Sequence, residues 1–212
     1  MSLAFFLSRW SGDGDLCNRA ITSIRRYYPQ ADLVLIVDGL LEQGDTLGLE
    51  LASTVIYGEQ LFSAEHGGAW ALRWIRAALE HSNADTLVRL DPDSLMIRPI
   101  KSYPDFDIFG SLMTHPQHGQ FVQGGACGYQ RSALEQIEAS GLLEQERMKN
   151  MHYLNVRANK LCVLDDVQVS VCAKELNLTL GEWGEVRSRG APAYAMREIG
   201  SSRAVWHPVR LD

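Results

Sequence analysis

The chain has 212 residues and a formal charge of −6, from 20 Lys plus Arg against 26 Asp plus Glu, with 46% hydrophobic and 22% charged residues. That composition, free of low-complexity tracts, can bury a full core and excludes disordered, collagen-like and coiled-coil chains. The acidic balance argues against gripping nucleic acid phosphates, so no nucleic-acid partner is expected.

In chain order, Leu3 to Leu7 is a continuous apolar run that reads as a buried strand, followed by a loop from Ser8 to Asp15. Leu16, Ala20, Ile24 and Tyr27 recur at helical spacing until Pro29 ends the helix. Leu33 to Val37 predicts a second buried strand stopping at Asp38-Gly39, and Thr54 to Tyr57 a third. Gly67-Gly68 opens a helix over Ala69 to His81 whose polar stripe is Arg73, Arg76 and Glu80, with Trp70 and Trp74 facing inward as core. Thr86 to Leu90 is the next apolar strand and runs into Asp91-Pro92-Asp93.

The second half is less regular. Ile108 to Met113 and Phe121 to Tyr129 read as strands around a polar loop, His115 to Gln120. Ser132-Ala-Leu-Glu135 has the form of a capping box, with Gly141 as the helix stop. A last helix begins at Asp165-Asp166, with Val169, Cys172, Ala173 and Leu176 as its buried face, and the tail from Gly181 to Asp212 is mostly loop by composition. Apolar strands alternating with helices predict a single α/β domain over 1–212, a Rossmann-like, mostly parallel sheet flanked by helices, with the ligand crevice beyond the strands' carboxyl ends. Asp38 and Asp91 both stand at such ends.

No run approaches the roughly 18 to 20 apolar residues that span a bilayer, and Leu3 to Leu7 is too short for a signal-peptide core, so the expectation is a soluble, cytoplasmic protein with no transmembrane segment. Cys17, Cys127, Cys162 and Cys172 form no CxxC pair and read as buried thiols.

Three DxD triplets occur: Asp13-Gly14-Asp15, Asp91-Pro92-Asp93 and Asp105-Phe106-Asp107. Acids at i and i+2 on extended backbone point to the same side and suit a hard divalent cation, which in turn neutralises a diphosphate. Asp13 and Asp15 sit in a turn before a helix, where N-capping accounts for them. Asp105 and Asp107 precede a strand and read as a solvated turn. Asp91 and Asp93 alone follow a buried strand, and they are the expected metal or phosphate site.

At this point the sequence resembles a family. Helix Gly68 to His81, strand Thr86 to Leu90, Asp91-Pro92-Asp93 and Met96-Ile97-Arg98-Pro99 look like the core of GT-A fold glycosyltransferases, which transfer sugars from nucleotide-sugar donors. Downstream, Gln123 to Ser132 is similar to the Gly-containing acceptor-side segment, Leu164-Asp165-Asp166-Val167 to the family's acidic motif, and Trp206-His207-Pro208 to its late His. The resemblance implies a nucleotide-binding half over 1–100 and an acceptor-side half over 101–212. It implies that Asp91, Asp93 and His207 hold Mn²⁺ or Mg²⁺ on the two donor phosphates. Asp91 would also reach the ribose, Asp38 would lie near the base, and Arg73 would contact ribose, pyrophosphate or sugar. Gly124-Gly125 would let substrate pass close to the backbone. Asp166 would be the base that takes the acceptor proton, with Asp165 as its alternative.

Blander readings of the same residues stand beside these. Asp165 with Gln168 fits a helix cap and its partner, His207 fits a packed histidine, and His115 and His118 fit exposed loop residues. Two other functions fit as well: a catalytically silent nucleotide-sugar or carbohydrate binding module, and a haloacid-dehalogenase-type phosphatase suggested by Leu90-Asp-Pro-Asp-Ser94 after a strand. A compact chain predicts a small saccharide or other hydroxyl acceptor, or one recognised with a partner chain or in a homo-oligomer.

Overall fold

The computed structural model describes residues 2–42, 45–62, 64–155, 160–187 and 204–206. The elements are β1 (Leu3–Arg9), α1 (Gly14–Tyr27), β2 (Asp32–Asp38), β3 (Thr54–Gly58), α2 (Ala69–Glu80), β4 (Thr86–Leu90), β5 (Leu95–Met96), β6 (Ile108–His115), β7 (Gly119–Gln130), α3 (Arg131–Ala139), β8 (His152–Asn155), β9 (Lys160–Val163), α4 (Asp165–Glu175), β10 (Leu180–Glu182), β11 (Val186–Arg187) and β12 (Val205–Trp206). Seven strands form one sheet in the order β10-β6-β7-β4-β1-β2-β3, so both halves of the chain share it. It is mostly parallel: β1 pairs with β2 and β4, β2 with β3, and β6 with β10, while β7 runs antiparallel to both β4 and β6.

The continuous apolar runs have a simple cause. Successive side chains on a strand point to opposite faces, and here both faces are covered. Ala4, Phe6, Val34, Ile36 and Leu87 pack with Trp70, Trp74, Leu134, Ile137 and Cys172 of α2, α3 and α4. Phe5, Leu7, Leu33, Leu35, Val88 and Leu90 pack with Cys17, Ala20, Ile21 and Ile24 of α1 on the other face. Right-handed crossovers require this: the chain steps outward from β1 through α1 to β2 and β3, then returns through α2 to β4 on the other side of β1, so the two helices land on opposite faces. The order reverses between β1 and β4, and in such sheets the ligand crevice lies at the carboxyl ends of those two strands.

Two features differ from the sequence reading. The polar loop at His115 to Gln120 is mostly ladder, because pairing continues to His115 opposite Gly119 and leaves only a short turn at Pro116 to His118. The helix after β7 starts at Arg131, so Ser132 lies inside it and no side chain caps its N-terminus. The Arg131 guanidinium reaches Leu79 O and Ser82 O instead, closing the end of α2. Gly141 does stop the helical segment as expected, with φ 67. Cys17, Cys127 and Cys172 are buried thiols; the side chain of Cys162 lies outside the described residues. Among the described residues no helix is long and apolar enough to cross a membrane.

Candidate active site

At the end of β4 the chain turns through Asp91-Pro92-Asp93-Ser94. Asp91 N–H donates to Gly125 O (2.9 Å), Ser94 N–H to Asp91 O (3.0 Å), and the Ser94 hydroxyl to the same Gly125 O (2.8 Å). One carbonyl of β7 therefore holds both ends of the acidic turn. The preceding residue reaches the other acid: Gly124 N–H donates to Asp166 Oδ2 (3.3 Å). A Cβ on Gly124 would lie 3.1 Å from both Arg89 Nη1 and the Asp166 Cβ, so the absence of a side chain is what lets these groups approach.

The two acids that open α4 separate in role. Asp165 is buried; its Oδ2 lies 2.6 Å from Arg89 Nη1 and accepts from Trp74 Nε1 (3.2 Å). The Arg89 guanidinium also stands 5.1 Å over the Trp74 ring and 3.7 Å from Asp91. Asp165 is thereby committed to a buried ion pair. Asp166 lines the cleft, and burial together with the Asp165 charge pushes its carboxyl up to about 6, against the opposing pull of Gly124 N–H, Val167 N–H and Arg89. The capping alternative is not what forms: Leu164 occupies the cap position without a side-chain bond, and Gln168 donates to Met148 O (2.8 Å).

These groups open onto a cleft of about 280 Å³ at the β1 and β4 carboxyl ends. Its far wall joins Ser8 and Trp10 from the end of β1 to Phe62 and to Trp70 of α2. Trp10 and Phe62 stack face to face, 5.7 Å apart and 2° from parallel, and Phe62 meets Trp70 edge-on at 5.9 Å. The sequence reading does not single out Trp10 or Phe62, and it favours core over a sugar platform for Trp70, which belongs to the core and also lines the cleft. Periodicity within one helix carries no sign of Trp10 or Phe62; only the end of β1 beside the end of β4 could have pointed to Trp10.

Asp38 and Arg73 are not among the residues lining that cleft. The Asp38 carboxylate is buried and accepts from Leu61 N–H (2.7 Å) and Phe62 N–H (3.1 Å), which fixes the loop that delivers Phe62 to Trp10. Arg73 donates to Glu59 O (2.6 Å) and Val37 O (2.8 Å) and stands 3.5 Å from Asp38, stitching the same loop to β2. Both residues brace the loop that carries Phe62, Asp38 through both carboxylate oxygens and Arg73 through Nη1 and Nη2, and Arg73 also lines a separate cleft of about 570 Å³.

Asp91 and Asp93 lie in one acidic region that includes a residue set aside in the sequence reading. Asp13 occupies the position before α1 but makes no side-chain cap bond. Its carboxyl is pushed up to about 6 by burial first and then by the charges of Asp93 and Asp91, with Arg9 pulling the other way. Its Oδ2 is buried without a hydrogen-bond partner among the described residues. Oxygen donors under mutual repulsion suit Mg²⁺ or Mn²⁺. Among the described residues no group of three or more His, Cys, Asp or Glu is disposed to hold a metal ion. The backbone of β12 pairs with β5 (Val205 opposite Met96, Trp206 opposite Leu95), while His207 lies outside the described residues.

No protein-family model matches the sequence, and a search of curated proteins found no match to it.

Proposed function

We propose that the chain is a metal-dependent glycosyltransferase of GT-A type that moves a sugar from a nucleotide-diphosphate sugar to an acceptor hydroxyl. The observation that carries this reading is the pairing of two acids in one cleft at the sheet's switch point. Asp91 directly follows β4, Asp166 stands in the first turn of α4 with its carboxyl pushed up to about 6, and two neighbouring residues of β7 fasten both. A divalent cation held by Asp91 and Asp93, with His207 as the ligand expected from sequence, would offset the charge on the departing diphosphate.

The chain's own residues do the rest. Asp166 accepts the proton of the acceptor hydroxyl; a carboxylate pushed up by burial is a stronger base than one in water and is still ionised at neutral pH. Asp165 cannot substitute for it, because its Oδ2 is held by Arg89 and Trp74. Arg89 in turn reaches Asp91, so one buried cation ties the acid after β4 to the first residue of α4. Ser94 and Gly125 keep the acidic turn closed.

A thermal-shift screen of UDP, GDP, CDP and dTDP with and without Mn²⁺ tests the reading. One of them should stabilise the protein only with the metal, and Asp93→Ala should abolish that shift. Binding that persists in Asp93→Ala removes the metal assignment. Donor binding without hydrolysis or transfer, unchanged in Asp166→Asn, favours the silent binding module instead.

A further inference from the structure

The seven-stranded sheet ends at β3, and no strand among the described residues pairs with the outer edge of β3. Proteins usually blunt such an edge with a charge, a proline or a bulge, because unpaired backbone groups invite another strand. Thr54-Val55-Ile56-Tyr57-Gly58 has none of these: it is uncharged, lacks proline and pairs with β2 in unbroken register. Tyr57 on this strand is 62% exposed. Ile56 and Leu61 stay half-buried where they line the cleft of about 570 Å³ beside α2.

The strand's own sequence says what fits there. Antiparallel overlap of all five residues with a second copy of the chain puts Ile56 on a two-fold axis and Val55 opposite the second copy's Tyr57. Residues directly opposite share a face. Ile56 belongs to the α2 face and Val55 to the α1 face, so each exposed tyrosine meets a β-branched residue. One step beyond the strand, the same register sets Ser53 opposite the second copy's Glu59. Ser53 Oγ accepts from Arg25 Nη2 (2.9 Å), and the other hydrogen-bond partners of Arg25 are the Leu51, Pro29 and Ala31 carbonyls. Among the described residues Arg25 makes no ion pair, and neither does the exposed Glu59 carboxylate. A second copy gives each the partner it lacks, twice over by symmetry.

We infer that the chain forms a two-fold dimer through β3, its two sheets joined edge to edge with Ile56 at the axis. The inference is independent of the glycosyltransferase reading. A partner of other sequence would have to bring both an apolar strand and an acid for Arg25, and this chain brings both between Val55 and Glu59. Five strand residues a side bury less than a permanent dimer does, so the dimer comes apart on dilution.

Sedimentation velocity from low micromolar concentration upward reads the mass of the unaltered protein, Tyr57→Lys, Glu59→Lys and Asp105→Lys. Asp105 is exposed just before β6, towards the opposite edge of the sheet, and serves as the control. The unaltered protein should pass from one chain mass to two. Tyr57→Lys should weaken that association about tenfold or more, since symmetry counts the change twice. Glu59→Lys should weaken it about three- to tenfold, and Asp105→Lys by less than about twofold. Residues opposite each other at the axis hold their Cβ atoms within disulfide reach, so Ile56→Cys should gain under mild oxidation a covalent dimer that the unaltered protein lacks. Melting temperatures check the fold of each variant; should Tyr57→Lys fail to fold, Glu59→Lys and Ile56→Cys carry the test. A protein that keeps the mass of one chain at every concentration overturns the inference. So does a dimer that Tyr57→Lys and Glu59→Lys leave as tight as before, or one that Ile56→Cys fails to cross-link.

Discussion

The Arg89 Nη1 and Asp165 Oδ2 atoms stand 2.6 Å apart with both side chains buried, at 6% and 8% exposure, the guanidinium over the face of the Trp74 ring and the carboxylate at its indole N–H. An ion pair taken out of water is held by its partners: removing one leaves the other charge stranded, at a cost of about 3–5 kcal/mol. Asp165→Ala should therefore destabilise the fold by about that amount in urea denaturation at pH 7.5. The double variant Arg89→Met with Asp165→Leu should cost clearly less than the sum of the two single changes. An additive double variant would mean that the pair is not coupled.

Asp166 behaves oppositely. Its folded pKa is raised from the ordinary value to about 6 by burial and by Asp165, with Arg89 and two backbone N–H groups opposing. The folded state thus binds its proton more tightly than the unfolded chain, and this group's contribution falls as pH rises from about 4 to 6 and stays unfavourable above. Asp166→Asn should stabilise the protein by about 1–3 kcal/mol at pH 7.5, with the gain disappearing below pH 4. The same variant should lose about 10²- to 10⁴-fold in turnover. On the glycosyltransferase reading, the rate of the unaltered protein should climb with pH through a midpoint near 6. A flat profile from pH 5 to 8 would remove Asp166 as the base.

Asp38 can be tested as a builder of the cleft. Asp38→Ala strips the acceptors from Leu61 N–H and Phe62 N–H, and buried donors without partners cost about 1–3 kcal/mol. The expected result is that loss in denaturation together with altered tryptophan emission, because Phe62 no longer packs on Trp10. Unchanged emission would mean that the loop holds its place without Asp38.

Two glycines of β7 separate fold from chemistry. A Cβ on Gly128 would run into the Phe109 ring, which is itself buried edge-on against Trp183 at 5.0 Å. Gly128→Ala should cost about 1–3 kcal/mol of stability as the core is overpacked. At Gly124 the same methyl group meets Arg89 and Asp166 at 3.1 Å, so Gly124→Ala should cost turnover more than stability. Melting temperature and kcat measured on both variants decide it; equal losses of stability would contradict the distinction.

Much of the scaffold is legible because its strands are buried on both faces. Thr86 to Leu90 is the same strand in sequence and structure, and β1, β2 and β3 differ only by a residue or two at their ends. The acidic turn after β4 stands out for the same reason. Neither the pairing of Asp165 with Arg89 nor the place of Asp166 on the cleft can be read from adjacent acids, since the partners of Asp165 come from two other elements, β4 and α2. Asp13 looked like a cap because its place before α1 is local, whereas the charges acting on it arrive from β4. Trp10 and Phe62 are brought together by Asp38 through backbone amides, an arrangement that leaves no periodic trace in the chain.

The two acids of the cleft hang from neighbouring residues of one central antiparallel strand: Gly125 O for the Asp91 turn and Gly124 N–H for Asp166. Both attachments are made by backbone, so the spacing of the acids follows the repeat of β7 rather than any surface side chain. Between α3 and α4 the exposed positions Glu144 to Arg147 stand apart from these attachments. On the glycosyltransferase reading, such positions can change with the acceptor while the two acids keep their places.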